Sequence, residues 1–291
     1  MKRFVLPVSP SPEGLIRLCD KDYHYLVHVR RLKSGMCFDA ILPGEIETKV
    51  RIISTKDNVL TGECLWEVEK QPSVLSQPTA LLLQPPLSLP PIALFQSLPK
   101  GAKMDLIIRQ AAEAGVSVVS PFESEYSAAK VSKNPPEGLC VESFSALKIK
   151  RWERIVREGR QQSGSVIKTE IRFPCTLAAL LEYWESIKKE FERPLGILLH
   201  QAPLEKGTFH GYLGIEPDFV ALTVGPEGGF SPGEVSQFIA AGFKPILLGN
   251  TILRTETAAL YGVAAIRTIL AERKAWTSGQ TESCSLKSQL T

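Results

Sequence analysis

The chain has 291 residues, 44% of them hydrophobic and 22% charged, with a formal net charge of +3. This excludes a sequence too polar to bury a core, and the length suggests two domains, one of roughly 70 residues and one of roughly 200. So small a net charge neither demands nor forbids a polyanionic partner, because what matters is where the cations sit.

The first ~70 residues read as mostly short strands: Met36–Leu42, Lys49–Ile53 and Val59–Val68, separated by turn signals at Pro43-Gly44 and Lys56-Asp57-Asn58. A helical piece from about Lys21 to Leu32 precedes Ser34-Gly35, and Arg30, Arg31 and Lys33 form a cluster of cations. A small β-barrel over 1–72 is the expected shape. Prolines punctuate 73–91, and proline removes backbone donors and fixes φ, so this stretch reads as a linker.

From residue 92 the pattern changes to alternating strands and helices. Ile92–Ser97 is a strand candidate and Lys103–Ala114 a helix closed by Gly115; Val116–Pro121 is the next strand. A longer helix covers Val141 to Gln162. Leu195–His200, Phe219–Val224 and Pro245–Leu248 are short apolar runs of the kind expected for parallel strands covered on both faces. Helices over Pro232–Ala241 and Glu256–Arg273 follow the last two, which makes 92–274 an α/β domain. The Ser/Thr/Gln-rich residues 275–291 read as a disordered tail. The six cysteines (Cys19, Cys37, Cys64, Cys140, Cys175, Cys284) show neither metal-knuckle nor redox-pair spacing. No run suits a signal peptide or approaches the ~20 apolar residues of a membrane span, so a cytoplasmic protein without membrane contact is expected.

Three segments carry candidate chemistry. In Ala221-Leu222-Thr223-Val224-Gly225-Pro226-Glu227-Gly228-Gly229-Phe230-Ser231-Pro232-Gly233-Glu234, an apolar strand ends at a glycine-rich loop and a helix begins at once. Ser231 and Glu234 have capping-box spacing, with Pro232 at the first helical position. Glycines at the carboxyl end of a strand admit a ligand to the backbone, although a plain tight turn has the same spacing. The lysine of a phosphate-cradling loop is missing. In Leu247-Leu248-Gly249-Asn250-Thr251-Ile252-Leu253-Arg254-Thr255-Glu256-Thr257-Ala258, polar residues again crowd a loop between strand and helix. Either this is a capped helix start with Arg254 in a surface pair, or the two loops share a pocket. The third segment is the basic helix around Lys150, Arg154 and Arg157, opposite an apolar face of Ile149, Trp152, Ile155 and Val156. A solvated face and a phosphate-contacting face both fit it.

At these segments the chain resembles the RsmE family, the 16S ribosomal RNA (uracil-N3) methyltransferases of the SPOUT class. VGPEGGFSPGEV (Val224–Val235) and LLGNTILRTETAAL (Leu247–Leu260) carry the likeness most strongly. KGAKMDLIIRQAAEAGVSVVSPFESEYSAAK (Lys100–Lys130), RQQSG (Arg160–Gly164) and HYLVHVRRLKSG (His24–Gly35) support it. The resemblance implies an α/β SPOUT trefoil-knot methyltransferase domain preceded by a small PUA-like β-barrel for RNA, a rare exception to the avoidance of threaded chains.

It further implies S-adenosylmethionine as methyl donor, with no metal. Its contacts would come from Leu199 and His200, from Gly225, Glu227, Gly228 and Gly229, and from Leu248, Gly249, Ile252, Leu253 and Thr257. The implied substrate is 16S rRNA of the small ribosomal subunit in its decoding region, modified at uridine N3 by a homodimer. Arg30, Arg31, Arg109, Lys150, Arg154 and Arg157 are the candidate RNA contacts, Arg254 the candidate for charge stabilisation, and Glu256 a candidate base or a group that orients Arg254. A SPOUT enzyme acting on another RNA such as tRNA, or a non-catalytic assembly factor, is the alternative. The chain departs from the family's usual cations at Tyr126, Thr251, Ser165 and Gln110, which touches RNA contact more than the methyl-donor site.

Overall fold

The computed structural model describes residues 3–43, 46–65, 89–127, 141–204 and 206–287, with side-chain surroundings left aside for 141–145 and 274–287. Most of the 73–91 linker therefore lies outside the described residues. The chain divides into two compact units, Met1–Thr79 with Arg157–Lys168, and Ala80–Val156 with Thr169–Thr291.

The first unit holds strands β1 (Phe4–Val5), β2 (Leu15–Leu18), β3 (Cys37–Ile41), β4 (Glu47–Lys56) and β5 (Val59–Leu65). They form a half-barrel in the order β1-β3-β4-β5-β2, antiparallel except for the parallel β1–β3 pair. β4 and β5 alternate buried and exposed side chains, as a sheet with one wet face must. The turn between them is Asp57-Asn58, both at positive φ (54° and 58°), the I′ geometry whose twist suits a hairpin. Phe4, Ile16, Leu18, Phe38, Val50 and Leu60 fill the core. Helix α1 (Asp20–Tyr23) runs directly into a π-helical stretch, His24–Val29, where the sequence reads as a single helix from Lys21 to Leu32.

The second unit is built on parallel strands β6 (Ile92–Ser97), β7 (Val118–Glu123), β8 (Glu170–Ile171), β9 (Cys175–Thr176), β10 (Pro194–Leu199), β11 (Phe219–Val224) and β12 (Lys244–Ile246). Their order is β12-β10-β11-β6-β7-β8, with β9 also pairing β7. β6 and β11 are buried at every residue, because helices cover both faces. On one face pack α2 (Lys103–Glu113), α3 (Val141–Ser163), α5 (Phe209–Leu213) and α7 (Thr255–Lys287), through residues such as Ile107, Trp152, Leu213 and Ile266. On the other lie α4 (Leu177–Glu190) and α6 (Pro232–Ala240), whose Trp184 and Phe238 close on Phe243. Burying a side chain of that size contributes on the order of 2–3 kcal/mol.

Helix α4 escaped the sequence reading although Leu180, Trp184 and Ile187 recur at helical spacing and are buried, and Thr176 caps it by accepting from Ala179 N at 3.3 Å. Short strands β1, β2, β8 and β9 escaped it too, being too brief to show a period. The backbone of α7 continues to Lys287, past Ala275 where composition predicts a disordered tail; no proline intervenes to end it. Among the described residues no helix is long and apolar enough to cross a membrane.

Candidate active site

Strands β10, β11 and β12 lie side by side and parallel, so their carboxyl ends, and the loops that leave them, meet at one edge of the second unit. There a cavity of about 260 Å³ opens. Leu199, His200 and Gln201 line it from β10, Gly225, Glu227 and Gly229 from β11, and Leu248, Ile252, Leu253 and Arg254 from the loop after β12. The two loops singled out by their sequence thus share one pocket. Gly228, Gly249, Glu256 and Thr257 stand beside it without lining it, whereas Gln201, Phe230, Thr251 and Thr255, absent from the sequence-based cofactor set, contribute walls.

Local chemistry sets each loop. After β11, Gly229 N donates to Pro226 O at 3.0 Å and Gly229 adopts φ +72°, a conformation that disfavours any side chain. The turn ends at a complete capping box: Ser231 Oγ accepts from Glu234 N at 3.3 Å, and Ser231 N donates to Glu234 Oε2 at 2.9 Å. The second carboxylate oxygen of Glu234 accepts from Glu125 N at 2.8 Å, so one buried side chain fastens the loop after β7 to the start of α6. At the start of α7, the buried Thr255 hydroxyl donates to Gly225 O at 2.7 Å and accepts from Gln96 Nε2 at 3.0 Å. This hydrogen-bonded bolt joins the loop after β12 to the loop after β11.

A third fastening passes through Lys103, a residue the sequence reading did not single out. Its ammonium lies 2.7 Å from Glu227 Oε1 and 3.5 Å from Glu256 Oε2, bridging one acid from each loop. Lys100 N also donates to Glu227 Oε1, at 3.2 Å. Among the described residues Glu256 is therefore paired with Lys103. A lysine on a neighbouring helix meets these acids only through the fold, which explains why no linear pattern signalled it. Burial pushes the Glu227 carboxyl up, but the Lys103 ammonium and the backbone N–H groups outweigh it and hold the group below the usual carboxylate range. Glu227 in turn raises the Lys103 ammonium against the opposing effect of burial.

The sign follows from linkage. A depressed carboxylate stabilises the fold fully above its unfolded pKa, and that contribution is lost as pH falls through the folded value. Lys103→Met should remove this acid-side component from thermal melts taken across the acid range. It should also weaken S-adenosylmethionine binding roughly two- to fivefold by calorimetry at neutral pH, as expected for a partly exposed ion pair. Unchanged melts and affinity would show the clamp to be incidental.

Arg254 is exposed at the cavity wall, and among the described residues its guanidinium has no ion-pair partner. The RNA candidates fare differently. Arg31, Arg109, Lys150 and Arg154 are exposed, while Arg30 is half-buried with a buried Nη1 that finds no hydrogen-bond partner among the described residues. Arg157 is already paired: its Nη2 donates to both oxygens of Asp22 at 3.0 Å, within the first unit. The apolar face of that helix is as read, with Ile149, Trp152, Ile155 and Val156 buried, and Trp152 Nε1 donates to Asp105 at 3.1 Å. No cluster of metal-ligating side chains occurs among the described residues.

The sequence model of the RNA methyltransferase domain matches residues 85–267, spanning the whole parallel sheet and this cavity. Fold and site together define an RNA methyltransferase with a half-barrel domain in front. The chain is 30% identical over 275 residues to a protein from Synechocystis sp. named ribosomal RNA small subunit methyltransferase E, covering 92% of this chain and 78% of that one. It is 28% identical to ribosomal RNA small subunit methyltransferase E 2 of Borreliella burgdorferi, covering 93% and 98%. A Legionella pneumophila protein solved with S-adenosylmethionine bound superposes with a TM-score of 0.68 at 25% identity, covering 91% of this chain and 96% of that one. The chain belongs to the ribosomal RNA small subunit methyltransferase E family.

Proposed function

We propose that this protein transfers the methyl group of S-adenosylmethionine to N3 of a uridine in the decoding region of 16S rRNA. It would work in the cytoplasm, as a homodimer, on the assembled small subunit. The observation that carries the reading is the single cavity formed by the loops after β10, β11 and β12.

The cavity suits that donor. Leu199, Leu248, Ile252 and Leu253 supply an apolar slot for adenine, while the glycine-rich backbone after β11 offers amides and carbonyls to polar ends of the molecule. Glu227 and Thr251 at the wall favour ammonium and hydroxyl groups over phosphate. Bound there, S-adenosylmethionine supplies an electrophilic methyl group.

The remaining chemistry falls to the chain. Uracil N3–H is a weak acid between two carbonyls, and charge left on the ring oxygens needs a cation. Arg254, exposed at the wall and without an ion-pair partner among the described residues, faces that requirement. Glu256, held by Lys103, positions the loop, and the N3 proton leaves to solvent water as the methyl group is transferred to the nitrogen. Holding acceptor and methyl in line supplies much of the rate, and a stacked target base must swing out to reach the pocket.

The test is direct. N3-methyluridine mapped in 16S rRNA should be present in cells carrying the gene and missing at one position when the gene is deleted. An identical map in both strains sinks the substrate assignment.

A further inference from the structure

Resting on that reading, we propose that Tyr126 is the platform on which the target RNA base, or its immediate neighbour, stacks at the mouth of the methyl-donor cavity.

Tyr126 lies in the loop after β7, and both of its chain neighbours are pinned. Before it, Glu125 N donates to the buried Glu234 carboxylate at 2.8 Å. After it, the buried Ser127 hydroxyl sits 2.9 Å from Ser97 Oγ and 3.0 Å from Ser124 Oγ, while Ser97 and Ser124 are 2.6 Å apart. Ser124 N also donates to Ser127 Oγ at 3.0 Å. Three buried hydroxyls and a buried carboxylate thus hold a backbone that carries a side chain left 49% exposed.

The placement matters as much as the rigidity. A methyl group added to Gly228 would lie 3.1 Å from Tyr126 Cβ, so the tyrosine packs directly against the glycine loop. Gly228 stands between Glu227 and Gly229, which both line the cavity. The aromatic residue therefore packs on the loop that lines the cavity, next to the backbone proposed to hold the methyl donor. Among the described residues its ring has neither a hydrogen bond nor a ring partner. An exposed ring on a preorganised backbone adds little to the fold, whereas unstacked RNA bases are commonly received on such rings, because every base has a π-face. The pinned loop also lowers the ordering cost of that contact.

The experiment compares wild type, Tyr126→Phe and Tyr126→Ala in three assays. These are methyl transfer to small ribosomal subunits, binding of a uridine-containing 16S rRNA fragment with S-adenosylhomocysteine present, and calorimetric S-adenosylmethionine affinity. Tyr126→Ala should lower kcat/KM for RNA and weaken fragment binding by roughly tenfold to a hundredfold. Its S-adenosylmethionine affinity should stay within about twofold of wild type, and Tyr126→Phe should restore RNA affinity because stacking needs the ring and not the hydroxyl. Unaltered fragment binding by the alanine variant overturns the proposal. So does a parallel loss of S-adenosylmethionine affinity, which would mark Tyr126 as a support for the glycine loop. If wild type binds the fragment through Tyr126 but transfers no methyl to small subunits, the stacking platform stands and the substrate assignment falls.

Discussion

Arg254→Ala should reduce methyl transfer by roughly a hundred- to a thousandfold, the range seen when a preorganised charge-stabilising group is removed. S-adenosylmethionine affinity should remain within about twofold of wild type. The separation of these effects is the point. The donor-binding features of the loop after β12 are the apolar walls at Leu248, Ile252 and Leu253 and backbone groups, none of which depends on the guanidinium. Arg254 is exposed, whereas the acid two residues on is engaged by Lys103 at 3.5 Å. Its charge is thus available to a group that arrives with the RNA. Single-turnover kinetics on small subunits, alongside calorimetry, reads both quantities. Wild-type turnover in the variant removes Arg254 from the chemistry, and a collapse of donor affinity makes it a cofactor residue instead.

Thr255→Val should be the most damaging conservative change in the site. Valine matches threonine in shape but cannot donate to Gly225 O or accept from Gln96 Nε2, contacts now made at 2.7 and 3.0 Å. Gln96 keeps its bond to Ser97 O at 2.9 Å, so the main loss is the partner of the Gly225 carbonyl. A buried acceptor left unsatisfied costs about 1–3 kcal/mol, or a fall in melting temperature of roughly 2–12 °C for a domain of this size. The affinity for S-adenosylmethionine should fall about tenfold or more, since Gly225 opens the loop that contacts it. Thr255→Ser keeps the hydroxyl and should recover most of both. A valine variant with unchanged melting temperature and affinity would show that the two loops are held together by packing alone.

Both expectations depend on a residue's surroundings, and the sequence showed these unevenly. Strands β6 and β11 were legible to the residue because burial on both faces makes a parallel strand an uninterrupted apolar run. The capping box at Ser231 and Glu234 was equally legible, since its partners are three residues apart. So were the two loops, whose glycines and polar residues stand where strands end. What the sequence hid were contacts of long separation. Lys103 reaches Glu227 and Glu256 across more than a hundred residues, and Gln96 reaches Thr255 across 159.

The chain's own order of residues thus determined its layered class, its loops and its likeness to a family of RNA methyltransferases, because periodicity, turn chemistry and capping act over a few residues. Only the tertiary structure decided which loops meet, that Glu256 answers to Lys103, that Arg157 is matched by Asp22 and that Tyr126 packs against Gly228. Strand order brings β10, β11 and β12 together, and electrostatic and hydrogen-bonded partners are chosen by distance in space, which neighbouring positions along a chain do not encode.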